Sequence, residues 1–186
     1  ATIRDEAYKM SIYLARDKAP FSEFDSKKYL NEEFAKTLPA RIRMLIKRHG
    51  IRNAVMLTIP PCGTISMLHG VSSGIEPIFA AMYNRRYHDA GNPVDAFLGA
   101  YDVEPEDHIK VQATIQKYID SCISKTINLP AEATAEEFSQ AALDYAPYLK
   151  GLTVYRAGAK EGEPLQAIPF TEENIQKYMN GKEDET

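Results

Sequence analysis

Apolar and polar positions along this chain change period several times, and each change marks an element. Ile3, Ala7, Met10 and Leu14 recur at helical spacing, which predicts a helix from about Ile3 to Arg16. Asp17 to Pro20 ends it, because proline cannot continue a helix and restricts the residue before it. A second helical region runs from about Ser26 to Lys36. A third opens at Pro39, since proline is tolerated at the first helical position. Its stripe is Ile42, Leu45, Ile46 and His49, and Gly50 is a suitable left-handed stop. Ala54 to Ile59 is then a short continuous apolar run with β-branched members, the pattern of a strand covered on both faces in a parallel sheet. It empties into Pro60-Pro61-Cys62-Gly63-Thr64-Ile65-Ser66.

The second half alternates in the same way. Pro105 to Ile123 predicts a long helix whose buried stripe is Val111, Ile115, Tyr118, Ile119 and Cys122. Lys125 to Leu129 predicts a strand closed by Pro130. Thr134-Ala135-Glu136-Glu137 is a capping box opening a helix with Phe138, Ala141, Ala142 and Tyr145 inward. Gly151 to Tyr155 is a final strand. Beyond Gly158 the chain turns polar, and Lys182 to Thr186 is expected to be a solvated tail. The sum is an α/β domain with at least three strands, too few to close a barrel alone, and without internal repeats.

Composition narrows the class. The chain has 186 residues, 44% hydrophobic and 26% charged, enough apolar material for one domain or one large piece of a bigger one. A formal net charge of −4 argues against a general nucleic-acid surface, which needs a basic excess. No apolar run approaches the roughly 20 residues of a membrane helix. Neither an initiator Met nor a signal-peptide core stands at the start, which raises the expectation of a processed chain or one cut from something longer. Cys62 and Cys122 are the 2 cysteines, without CxxC spacing. They form neither a zinc motif nor a disulfide framework, and a reducing cytoplasm is the expected compartment.

Pro61 to Ser66 is where chemistry is expected, because α/β proteins place ligands where a strand empties into a turn. Gly63 allows close approach of a ligand, successive peptide N–H groups can form an anion-binding concavity, and Thr64 and Ser66 add hydroxyl donors. A following helical turn would add free N–H groups. Two readings stay open on spacing alone: an anion-binding loop, or a plain strand-to-helix turn with hydroxyl caps. The spacing is not the GxxxxGK[ST] of a P-loop.

Ile59 to Ser66 is similar to the Pro-Thr-Gly-Thr-Ile-Ser loop of the adenosylcobalamin-dependent (class II) ribonucleotide reductases. Ser72-Ser73-Gly74-Ile75-Glu76-Pro77 and Tyr83-Asn84-Arg85-Arg86 also resemble that family. So do His49 to Asn53, Ile123 to Pro130 and Lys150 to Arg156. The blocks keep the family's order over about residues 40 to 160. The resemblance implies a partial ten-stranded α/β barrel, with its late strands and flanking helices over residues 1–160 and a polar extension over 161–186. It further implies that Pro61, Cys62, Gly63, Thr64, Ile65 and Ser66 bind the phosphates of a ribonucleotide substrate. Cys62 departs from the pattern: threonine usually stands there, and a thiol is a weak donor. Class I reductases usually carry a Ser-Glu-Thr-Ser-type loop and a Tyr-Tyr pair near the end. Here Gly63 lies in the loop and Tyr155 stands alone before Arg156.

The same resemblance implies, in the complete enzyme, adenosylcobalamin, a thiyl-radical cysteine, two reducing cysteines and an Asn-x-Cys-x-Glu motif. Neither Cys62 nor Cys122 has that context, so no catalytic residue is assigned to this chain. It is expected to be inactive alone, as a C-terminal portion or small subunit that needs the upstream catalytic portion. A barrel lacking its other strands also implies self-association. The rival is a non-catalytic nucleotide-binding or assembly module. Cys122, on its helical stripe, reads as a buried structural thiol. His49, His69, His88 and His108 form no metal motif; His49 and His108 read as packing residues, and His69 as a neighbour of the loop. Glu76 is either a turn acid or a group that positions the loop. Arg85 and Arg86 are candidates for phosphate or for salt bridges.

Overall fold

The computed structural model describes residues 1–78, 83–85, 99–159, 165–167 and 171–179. In chain order these form helices α1 (Thr2–Lys18), α2 (Ser26–Asn31), α3 (Glu33–Lys36), α4 (Ala40–His49) and α5 (Gly63–Leu68), then strand β1 (Tyr83–Arg85) and helix α6 (Pro105–Gln116). Strand β2 (Thr126–Leu129), helix α7 (Ala135–Tyr145), a 3-10 turn (Ala146–Tyr148), strands β3 (Thr153–Arg156) and β4 (Leu165–Ala167) and helix α8 (Glu172–Met179) follow. Two compact units interleave along the chain. The first takes Ala1–Pro60, Lys110–Ser124 and Tyr145–Gly151, and the second takes Pro61–Ile109, Lys125–Asp144 and Leu152–Thr186. Arg86, His88 and the expected tail at Lys182 to Thr186 lie outside the described residues.

The first unit is built on a helical core of Tyr8, Ile12, Ala35, Leu38, Ile42, Ile46 and Ile51, with Phe21, Phe24, Tyr29 and Phe34 packed against it. The α4 stripe is as the periodicity predicts, with Ile42 and Ile46 buried. Gly50 ends α4 at φ +75°, and a Cβ there would stand 2.3 Å from Pro20 Cγ, so packing and backbone both require glycine. The expected helix over Ser26 to Lys36 is two short ones, because Glu32 adopts extended backbone between them.

The buried face of α1 is not the expected one. Ile3 and Met10 are 78% and 58% exposed, and the buried positions are Arg4, Tyr8, Ser11, Ile12 and Ala15. Polar members of that stripe are buried with partners. Arg4 pairs with Asp5 and lies over the Tyr118 ring, and Ser11 Oγ donates to Asn53 Oδ1 and accepts the Asn53 N–H. The Tyr8 hydroxyl donates to Asp120 Oδ2 at 2.7 Å. Burial, with Tyr29 and Asp120 adding to it, holds the Tyr8 phenol above its ordinary range.

Further expectations are corrected in this unit. Ala54 to Ile59 is not a regular strand: it makes one parallel bridge, Ile59 with Ile123, and Val55 is 56% exposed. The Met56 and Leu57 N–H groups donate to the two carboxylate oxygens of Asp120, so a side chain stands where a neighbouring strand would. The expected helix to Ile123 ends at Gln116. Gln116 Nε2 donates to the carbonyls of Ile119 and Ser121, and its Oε1 accepts the Lys150 N–H, so the side chain takes up the chain that leaves the helix. Gln112, Ala113 and Gln116 are buried, whereas Val111 and Tyr118 are exposed. Cys122, expected to be buried, is exposed, with its thiol toward the Lys150 carbonyl.

In the second unit β2 and β3 pair in parallel, with Thr126 opposite Thr153 and Leu129 opposite Arg156. Ile127, Asn128 and Leu129 are buried. β1 and β4 pair antiparallel, and Ile78 bridges Gly99 in parallel. α7 turns Phe138, Ala141, Ala142 and Tyr145 to a half-buried face, as the pattern predicts. The described residues thus form a mixed, unclosed α/β arrangement with four strands in two pairs.

Candidate functional site

Cys62 is the N-cap of α5, and no side chain caps that helix. The expected turn at Gly63 is therefore the first turn of a short helix. Gly63 sits in ordinary helical backbone, and a Cβ built on it meets nothing within 4 Å. Neither the fold of the backbone nor its packing among the described residues requires glycine here. Gly63, Thr64 and Ile65 are exposed, and among the described residues their N–H groups, the first donors of the helix, have no partner. Ser66 is buried, and its hydroxyl donates to the Gly63 carbonyl at 2.8 Å, inside the loop. Ile65, Leu68 and Val71 place exposed apolar side chains around this turn.

The structure joins two of the blocks that resemble the reductases. Cys62 Sγ lies 3.6 Å from Ser73 Oγ, and the Glu76 N–H donates to the Ser73 carbonyl at 2.8 Å. Glu76 then reaches a third block. Its Oε2 is 2.6 Å from Lys125 Nζ, and its Oε1 accepts the Thr126 N–H at 2.6 Å. Lys125 Nζ also contacts His108 Nδ1 at 2.8 Å and donates to the Thr126 carbonyl at 2.6 Å.

Two members of this cluster are buried, the Lys125 side chain at 1% exposure and His108 equally enclosed, while Glu76 is half-buried. Burial lowers the His108 pKa, and the Lys125 charge adds to that lowering; the Ala100 carbonyl, Glu76 and Asp107 oppose it. His108 is thus a neutral imidazole that accepts from Lys125 at Nδ1 and donates to the Ala100 carbonyl from Nε2, 2.9 Å away. Periodicity assigned His108 to packing and gave Lys125 no role. A signal was present, however. Lys125 is in phase with Ile123, Ile127 and Leu129, the inward positions of a period-two run.

The remaining candidates stay separate. His69 is the exposed C-cap of α5, and His49 ends α4. Arg85 lies in β1 opposite Leu165. Among the described residues no three His, Cys, Asp or Glu side chains are grouped to hold a metal ion, and no helix is long and apolar enough to cross a membrane. Both ring nitrogens of His108 are engaged.

Comparison with known proteins matches the chain to the family model described as ribonucleotide reductase, barrel domain, over residues 1–96 and 88–155. The chain belongs to the ribonucleotide reductase barrel family. A vitamin B12-dependent ribonucleoside-diphosphate reductase of Thermoplasma acidophilum is 30% identical over 208 aligned residues, covering 89% of this chain and 25% of that protein. The protein of the same description from Mycobacterium tuberculosis (strain CDC 1551 / Oshkosh) is 28% identical, covering 89% of this chain and 28% of its own length. The vitamin B12-dependent ribonucleotide reductase of Agrobacterium fabrum is 35% identical over 92 residues, 49% of this chain and 7% of that protein. The chain thus spans about a quarter of the length of the first two relatives.

Proposed function

We propose that this chain is part of the catalytic barrel of an adenosylcobalamin-dependent ribonucleotide reductase, and that Pro61 to Ser66 hold the phosphates of the ribonucleotide substrate. The observation that carries the reading is Gly63: a glycine that no left-handed backbone and no neighbour demands, at an uncapped helix start. A ligand that comes against the backbone supplies the missing reason. The N–H groups of Gly63, Thr64 and Ile65 are free to meet an anion, and the Thr64 hydroxyl is exposed beside them. The Ser66 hydroxyl, held on the Gly63 carbonyl, keeps the loop's shape, and Cys62 contributes its backbone while its thiol faces Ser73.

In this reading the chain binds and orients, and orientation is worth several orders of magnitude in rate when the reacting groups are held in line. The radical and reducing cysteines come from the rest of the ten-stranded barrel, since Cys62 and Cys122 are the 2 cysteines here. In the complete enzyme, adenosylcobalamin would supply the radical initiation. The exposed Ile65, Leu68 and Val71 support a cover by that remaining portion, or self-association. A clean monomer in light scattering, alone and with that portion, counts against both.

The deciding assay is ribonucleoside diphosphate reduction with adenosylcobalamin and a dithiol. It compares this chain alone with this chain plus the remaining portion of the reductase. Turnover in the mixture only is the expected result. Turnover by the pure chain overturns the claim that it is inactive alone. Nucleotide binding without turnover in either tube, with the added portion folded and cobalamin-competent, favours a non-catalytic nucleotide-binding module.

A further inference from the structure

The Glu76–Lys125–His108 cluster contains no residue of the loop, yet a continuous set of contacts leads from it to the loop. All three ammonium protons of Lys125 have acceptors: Glu76 Oε2, His108 Nδ1 and the Thr126 carbonyl. Glu76 is held a second time by the Thr126 N–H, so its carboxylate is fixed at both oxygens. Its backbone N–H closes the turn onto the Ser73 carbonyl, and Ser73 Oγ meets the thiol of Cys62, the residue that caps α5. Burying an ammonium is costly, and an apolar side chain of similar volume would fill a strand end without that cost. Directed bonds from such a group can fix a geometry that packing does not.

We propose that Lys125 is a positioning residue for the anion-binding loop. From the position just before β2 it pins Glu76, and through the Ser73–Glu76 turn it sets where α5 begins and where the Gly63, Thr64 and Ile65 N–H groups point. Glu76 is its partner in this task, and neutral His108 orients the ammonium. The inference rests on the reading of Pro61 to Ser66 as a phosphate loop, and it adds the side chains that give the loop its geometry.

The test uses the 186-residue chain and three measurements: calorimetric affinity for a ribonucleoside diphosphate and for pyrophosphate, the denaturation midpoint, and ligand-free 15N shifts of the Gly63 and Thr64 amides. Lys125→Met is expected to weaken both affinities about tenfold or more, as misplacement of binding groups does, and to move both amide shifts. Because it leaves the Glu76 carboxylate without its cation, it also lowers the midpoint. Glu76→Gln/Lys125→Met removes both charges and serves even where the single variant fails to fold. It is expected to regain the midpoint while the affinities stay weak and the amides stay shifted. If affinity returns together with stability, or Lys125→Met binds like the unaltered chain, the positioning role is overturned. Unaltered chain that is folded but binds neither probe overturns the phosphate reading instead. In that case the ligand-free shifts still decide whether Lys125 sets the loop: unmoved amides in both variants end the proposal.

Discussion

Gly50 and Gly63 lie in regions that use the same residue for different reasons. At Gly50, in the helical unit, φ is +75° and a Cβ would collide with Pro20, so the fold accounts for the glycine completely. At Gly63, in the other unit, the backbone is helical and a Cβ would enter open space. Charge divides the two regions as well. The segments of the first unit hold 15 lysines and arginines against 8 aspartates and glutamates, and those of the second hold 7 against 18. The candidate anion loop therefore belongs to the acidic unit. Net charge does not favour an anion there; in the proposed reading local N–H groups would do so, and the buried Lys125 pairs with Glu76, the acid of the adjoining turn. Packing and backbone account for Gly50, whereas for Gly63 the proposed phosphate contact is the reason offered.

The largest effect should come from the helical core. Ile46→Ala, at a fully buried position, is expected to cost about 3–4 kcal/mol in chemical denaturation. A loss below about 1 kcal/mol would mean that this core is not the stabilising centre of its unit. Gly50→Ala follows at about 2–3 kcal/mol, from left-handed strain plus the Pro20 clash. Gly63→Ala completes the contrast between the glycines. Stability should stay level or rise by up to about 1 kcal/mol, since alanine suits a helix better. Affinity for a ribonucleoside diphosphate should nevertheless fall. A variant that binds as before would break the comparison at its most informative point.

A smaller effect is set by pH. His108 has a folded pKa below its ordinary 6.5, so the unfolded chain binds a proton that the folded chain refuses. The stability it contributes is complete above about pH 6.5 and is lost as pH falls from there toward the lowered folded value. Lys125, Glu76 and Asp107 face the ring, and their charges do not reverse this sign. A His108→Gln variant should flatten that part of the stability profile; an unchanged slope would assign it to other groups. Cys122→Ser should alter stability least, within about 0.5 kcal/mol, because the thiol is exposed.

Much of the local structure was legible before any coordinates. Period and caps located α1, α4, α7, β2 and β3, because one buried stripe or one alternating face leaves a regular trace in the chain. The blocks resembling the reductases were also legible in order, since each is a short local string. Which face of α1 is buried was not legible. Arg4 and Ser11 enter the interior because Tyr118 and Asn53, far along the chain, offer them partners. Ala54 to Ile59 has the composition of a strand, but a ladder needs a neighbour, and Asp120 occupies that place for two of its N–H groups.

By itself, then, the chain's sequence determined most of its elements and its family resemblance, and it marked the segment proposed to bind an anion, all of which depend on residues close together. Tertiary structure alone decided that Glu76 meets the buried Lys125 and His108, and that no described residue packs where a Gly63 Cβ would stand. The physical reason is that a charge is tolerated in the interior only against partners brought from elsewhere in the chain. Similarly, a glycine's purpose shows only when everything around it has been placed.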